Sequence, residues 1–316
     1  MQKIACIFPG QGAQYPGMGK ELAQNYREAM NIFDLASERL GIDMKRLCFE
    51  GEDKELEKTE NTQPSILTAS IAMLEVLKLK GIEPQIAAGL SLGEYSALVA
   101  SNAISFVDAV ALVKKRGKYM QEAVPAGEGT MAAIMGMERG AVADCLKMAS
   151  GYGVVEAANY NCPGQIVIAG HTKAVEKACS ILKENGAKRV IMLPVSAPFH
   201  SSLLKPAGEK LAIELENVTI SDNKLPVISN VNAQVIMDKY EIKRCLIDQV
   251  SRSVLWEDSI RRMIDMGVDT FIEVGPGRTL SAFIKKIDKS LYVHNVEDIE
   301  SLESTIVSIR ERLECN

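Results

Sequence analysis

The sequence predicts an α/β protein: a mostly parallel sheet in a large domain, interrupted by a compact second unit. Three observations carry this. Short apolar runs alternate with longer helix-periodic segments from the start of the chain. After Val124-Pro125-Ala126-Gly127-Glu128-Gly129 the pattern changes to β-α-β-β-α-β, the ferredoxin-like order. At Gly89-Leu90-Ser91-Leu92-Gly93 a strand-like run meets a helix-like run through a Gly-x-Ser-x-Gly turn.

The elements follow in order. Residues 2–8 read as a strand ending in the loop Pro9-Gly10-Gln11-Gly12, and helical patterns follow at 19–40 and 63–80. A strand at 86–90 leads into the serine turn, and a helix covers about 106–122. In the second unit, strands are expected at 130–135, 154–159, 165–169 and 188–193, with helices at 139–149 and 172–185. The large domain resumes after Pro194. It should supply helices at 206–215, 238–250, 257–266, 279–287 and 297–314, and strands at 226–229 and 270–274. The expected boundaries are 1–125 and 195–316 for the large domain and 126–194 for the small one.

Composition narrows the function. With 316 residues there is room for two domains. A net charge of −5 argues against general nucleic-acid binding, and no run of about 18 apolar residues predicts a membrane span. The first apolar run is too short for a signal peptide. Seven cysteines, an odd number with no Cys-x-x-Cys, fit reduced thiols in a cytoplasmic protein. The histidines, His171, His200 and His294, show no metal-ligand spacing, so no metal is expected.

A serine on such a turn is lifted off the sheet at a helix N-terminus, whose free N–H groups can receive an oxyanion. The alternative is a βα turn whose glycines only permit close packing. A serine nucleophile needs a base, and His200 is the best placed, in a loop at the domain junction where clefts form. No Asp or Glu stands out as its orienting partner, so a main-chain carbonyl or an amide could serve. Arg116 shares a helix face with Ala109, Leu112, Val113 and Met120. A guanidinium on a core face needs an anion, either an internal carboxylate or a substrate carboxylate held bidentately. Gly10-Gln11-Gly12 ends the first strand on the cleft side, where it could add a polar group. Gly275-Pro276-Gly277 reads as a simple turn, and no phosphate-loop motif is present.

Seven segments in order resemble the malonyl-CoA:acyl-carrier-protein transacylase family over nearly the whole chain. They are Phe8-Pro9-Gly10-Gln11-Gly12, Thr62-Gln63-Pro64, Gly89 through Ala97, Arg116-Gly117, Asn159 through Gln165, Phe199-His200-Ser201 and Glu273 through Gly277. The resemblance implies an α/β-hydrolase-like large domain with a ferredoxin-like insert. It implies Ser91 as nucleophile, His200 as base and then acid, and Gln11 with the Leu92 N–H as oxyanion hole. Arg116 would clamp the malonyl carboxylate, and the Gln249 main-chain carbonyl would orient the histidine. Gln63 and Asn159 match substrate-pocket positions, and Phe199 matches the malonyl-selecting form. Malonyl-CoA would be a substrate, with no cofactor, and the phosphopantetheine thiol of an acyl carrier protein would be the acceptor. Lys188-Arg189 and Lys285-Lys286 are candidates for a basic carrier-docking patch. One position departs from the family, which usually has His where this chain has Leu90. The rival expectations are a polyketide acyltransferase, a serine thioesterase or esterase, and a docking subunit without chemistry.

Overall fold

The computed structural model describes residues 3–195 and 197–314. Gln2, Ser196 and Cys315, each part of a sequence reading above, lie outside the described residues. The large sheet contains β1 (Ile4–Phe8), β2 (Ile86–Gly89), β7 (Val227–Ile228), β8 (Val235–Ile236), β9 (Thr270–Val274) and β10 (Tyr292–Val296), in the order β10-β9-β1-β2-β7-β8. The first five in that order run parallel, and β8 pairs antiparallel with β7 at the edge. The smaller sheet holds β3 (Gly129–Met135), β4 (Val155–Cys162), β5 (Gln165–His171) and β6 (Arg189–Met192), in the all-antiparallel order β4-β5-β3-β6. With helices Arg139–Ala149 and Thr172–Glu184 between them, these strands form the ferredoxin-like unit.

Period-two burial explains why β1 is central. Ile4, Cys6 and Phe8 pack toward the core that holds helices Thr59–Leu79 and Phe106–Glu122. Ala5 and Ile7 face the opposite layer, with Trp256, Ile260 and Phe283. A strand buried on both faces is continuously apolar, as IACIF is. The insert has a core of its own, in which Ile134, Leu146, Ile168 and Leu182 meet.

The two units are fastened together near the cleft. Asn159 bridges to Val254 in parallel register, the Tyr160 N–H donates to the Val254 carbonyl (2.9 Å), and the Val254 N–H donates to Ala158 (2.8 Å). β4 shifts register on either side of this contact, between Ala157 and Asn159 and between Tyr160 and Cys162. Arg139 adds ion pairs to Glu257 and Asp258.

Several elements differ from the sequence reading. The helix expected over 19–40 is two helices, Lys20–Asn25 and Arg27–Leu40, broken where Tyr26 turns extended (φ −129°, ψ 119°). Helices Met44–Glu50 and Asp53–Leu56 and strands β8 and β10 were not expected. β8 is two residues long, too short to show alternation. β10 is half-exposed and carries His294 and Asn295, which hide its apolar pattern. The hairpin turn at 161–164 shrinks to Pro163-Gly164, because β4 runs on to Cys162.

The serine turn depends on two close approaches. A Cβ on Gly89 would overlap the Gly93 carbonyl, and a Cβ on Gly93 would overlap the Phe8 carbonyl of β1. Helix Gly93–Ala100 therefore starts directly against the strand ends. Gly93→Ala should destabilise the protein by about 3 kcal/mol or more, because backbone has to move. Urea denaturation would measure this, and a loss under about 1 kcal/mol would mean the turn relaxes freely.

Candidate active site

Ser91 sits between β2 and helix Gly93–Ala100 with φ of 53°, a left-handed conformation that non-glycine residues rarely adopt. Asn230 holds it there. Its Oδ1 accepts from the Ser91 N–H (2.6 Å) and its Nδ2 donates to the Gly89 carbonyl (2.7 Å). Asn230 follows β7, the strand beside β2, so the neighbouring strand end braces the turn. The Leu92 N–H donates to no other described residue, and it lies at the start of the helix, where a developing anion could be received. Leu90 does not disturb this geometry. Its N–H donates to Phe8, its carbonyl accepts from Gly93, and its half-buried side chain lines the cleft.

His200, also at positive φ (60°), lies against the serine. Its Nδ1 is 2.8 Å from the Gln249 carbonyl and its Nε2 is 2.7 Å from Ser91 Oγ. A carbonyl can only accept, so Nδ1 carries the proton and Nε2 presents a lone pair to the serine O–H. The expected carbonyl partner thus occupies the place a carboxylate holds in a triad. Burial, and then the charge of Arg116, push the His200 pKa down to about 4, so the ring is neutral near pH 7.

Arg116 is 1% exposed on helix Phe106–Glu122, on the face the spacing predicts. Its NH1 donates to Gln63 Oε1 (2.8 Å), and its NH2 donates to Gln249 Oε1 (2.8 Å) and to Ser91 Oγ (3.1 Å). The Tyr95 ring lies 5.3 Å from the guanidinium carbon. Among the described residues no carboxylate forms an ion pair with it, so the internal-salt-bridge alternative fails. Its side-chain partners are two neutral amides and a hydroxyl.

A cleft of about 470 Å³ joins these groups and runs between the two sheets. The large domain contributes Gln11, Gln63, Leu90, Ser91, Leu92, Arg116, Phe199 and His200; the insert contributes Met131, Asn159, Asn161 and Gln165. Gln11 reaches only a long contact with Thr59 Oγ1 (3.5 Å), which leaves its amide available to the cleft. The other two histidines lie elsewhere. His171 Nδ1 accepts from the Val154 N–H, and His294 lies on β10. Glu273 accepts from the Leu280 and Ser281 N–H groups, so it caps the helix after the Gly275-Pro276-Gly277 turn. Among the described residues no cluster of His, Cys, Asp and Glu could hold a metal, and no helix is long and apolar enough to cross a membrane.

Two site residues escaped the sequence reading. Asn230 is remote from Ser91 in the chain, and nothing in its local pattern marks it. Glu94 is fully buried and accepts from the Gln249 Nε2 (2.8 Å) and the Asn230 N–H (3.0 Å), and burial pushes its pKa up to about 7. A carboxylate in an otherwise apolar helix, GEYSALVA, was the available signal.

A positive-φ serine paired with a carbonyl-oriented histidine, beside a buried guanidinium with no carboxylate in contact among the described residues, has the arrangement of a serine acyl-transfer centre. The chain belongs to the acyl transferase domain family, whose model matches residues 5–311, and within it to the malonyl CoA-acyl carrier protein transacylases. It is 52% identical to the Bacillus subtilis malonyl CoA-acyl carrier protein transacylase over 312 residues, 98% of each chain. The Clostridium perfringens enzyme of that name superposes with a TM-score of 0.97 at 51% identity, over 99% of this chain and 100% of that one. A malonyl-transacylase solved in complex with its type II PKS acyl-carrier protein superposes with a TM-score of 0.95 at 40% identity, over 97% of this chain and 100% of that one.

The depressed histidine pKa is open to direct measurement. NMR titration should place His200 near 4. Because Arg116 is a cause of the depression, Arg116→Gln should raise it; a wild-type value near the ordinary 6.5 would refute the buried, cation-flanked description.

Proposed function

We propose that this protein transfers the malonyl group from malonyl-CoA to the phosphopantetheine thiol of an acyl carrier protein through a malonyl ester on Ser91. The observation that carries the reading is the contact of Arg116 with the Ser91 hydroxyl, which puts a carboxylate receptor beside the acylated atom.

The site geometry supports each half-reaction of this reading. His200 Nε2 takes the serine proton as Oγ attacks the thioester carbonyl carbon. The Gln249 carbonyl accepts from Nδ1–H and stabilises the imidazolium that forms. The tetrahedral oxyanion is received by the Leu92 N–H and the Gln11 amide. The C–S bond then breaks, and CoA leaves as a thiol with the proton from His200. In the second half-reaction His200 deprotonates the carrier's thiol, the sulfur attacks the ester, and Ser91 recovers its proton. No cofactor or metal takes part in either step, since acyl transfer between a thioester and a hydroxyl needs only base, acid and oxyanion donors.

Arg116 selects a free carboxylate, held while Gln63 and Gln249 fix the guanidinium plane. Asn159 lines the pocket from the insert, and Phe199, next to His200 in the chain, lines it from the large domain. Carrier docking is assigned to the cleft mouth, where the exposed Lys286 reaches Gln165 (3.1 Å) on the cleft wall; Lys285, Lys188 and Arg189 are exposed as well. A place in fatty acid synthesis in the cytoplasm fits this reaction and the six unpaired cysteines among the described residues.

Incubation with malonyl-CoA should label Ser91 by mass spectrometry, and Ser91→Ala should abolish the label. Transfer to a holo carrier should outpace release of free malonate; the reverse would favour the thioesterase reading. Arg116→Ala should lower kcat/KM for malonyl-CoA by on the order of 100-fold while raising relative use of acetyl-CoA. Equal loss on both substrates would refute the clamp.

A further inference from the structure

Arg116 is a buried cation whose nearest buried carboxylate does not touch it. Between them stands the Gln249 side chain. Its Oε1 accepts from Arg116 NH2 (2.8 Å). Its Nε2 donates to Glu94 Oε2 (2.8 Å) and to the Ser91 carbonyl (3.0 Å). A flipped amide would turn its oxygen onto two acceptors and its NH2 onto a guanidinium, so the neighbours allow one orientation only. Glu94 in turn is pinned by the Asn230 N–H (3.0 Å), the same residue whose side chain holds the Ser91 turn.

We propose that Glu94 is a positioning residue for acyl-group selection. Through Gln249 it fixes the amide oxygen that orients Arg116, and it supplies the counter-charge to the guanidinium without occupying the face offered to substrate. The inference rests on the clamp reading of Arg116 and extends it. A carboxylate bonded directly to Arg116 would compete with the malonyl carboxylate. One held an amide away offsets part of the charge and leaves the donors available. The remaining titratable groups acting on or feeling Glu94 are Arg116, Tyr95 and Cys245.

The two functions of Glu94 separate in two variants. Glu94→Gln keeps an oxygen for Gln249 and Asn230 and removes only the charge. Above about pH 7, where the wild-type carboxylate ionises, it should lower KM for malonyl-CoA several-fold and raise the malonyl-to-acetyl ratio of kcat/KM. Glu94→Ala removes the acceptor, releases the Gln249 amide and should move KM and the ratio the opposite way. A residue needed only for folding would move both variants in the same direction and cut kcat on both substrates alike. If Glu94→Ala does not fold, as judged by its melting curve, Glu94→Gln decides alone: an unchanged malonyl-to-acetyl ratio overturns the proposal. The double variant with Arg116→Ala should show no further effect of Glu94→Gln on that ratio. If Arg116→Ala itself leaves the ratio untouched, the clamp falls and the Glu94 inference with it. If Arg116→Ala removes the preference and Glu94→Gln does nothing, only the Glu94 inference falls.

Discussion

A guanidinium at 1% exposure with no carboxylate in contact is the constraint around which the site is organised. An unpaired buried charge costs several kcal/mol unless its donors are met. Here NH1 and NH2 are met by amide oxygens from two distant segments, Gln63 on helix Thr59–Leu79 and Gln249 at the end of helix Lys239–Gln249, and by the Ser91 hydroxyl, while Nε has no hydrogen-bond partner among the described residues. Each acceptor is neutral, so the positive charge is oriented but not cancelled. Burial, and then that residual field, lower the His200 pKa and keep the ring neutral near pH 7.

Gln249 carries more than its place in the sequence suggests. Its carbonyl sets the His200 tautomer, its side-chain oxygen orients Arg116, and its side-chain nitrogen holds the Ser91 carbonyl. One residue therefore touches the histidine, the guanidinium and the serine. The absence of a third acidic member becomes intelligible. Under the proposed reading, a carboxylate at the histidine would offset the field that Arg116 offers to an anionic acyl group.

The division of labour between the units follows from where they meet. The large domain holds every group in contact with Ser91 Oγ, while the insert closes the opposite wall with Asn159, Asn161 and Gln165. The Val254 bridge and the Arg139 ion pairs fix that wall relative to the chemistry. A cleft walled on both sides limits access of water to the Ser91 hydroxyl.

The sequence by itself determined the alternation of elements, the serine turn and the buried face of helix Phe106–Glu122. These are local: apolar periodicity, two glycines at a fixed spacing, and an arginine in register with Leu112 and Val113 are visible within one or two turns of chain. The loop at the domain junction also marked His200, and the resemblance marked Gln249. Only the tertiary structure decided what Arg116 touches, that Glu94 stands behind Gln249, and that Asn230 braces the serine. Those contacts join residues separated by 25 to 155 positions, and no periodicity records them. The short strands β8 and β10 were likewise decided by neighbours, since two residues or a half-exposed edge carry too little pattern to stand out. Hydrogen-bond satisfaction in a buried site is a property of the assembled fold, and a single sequence holds its members without stating their partners.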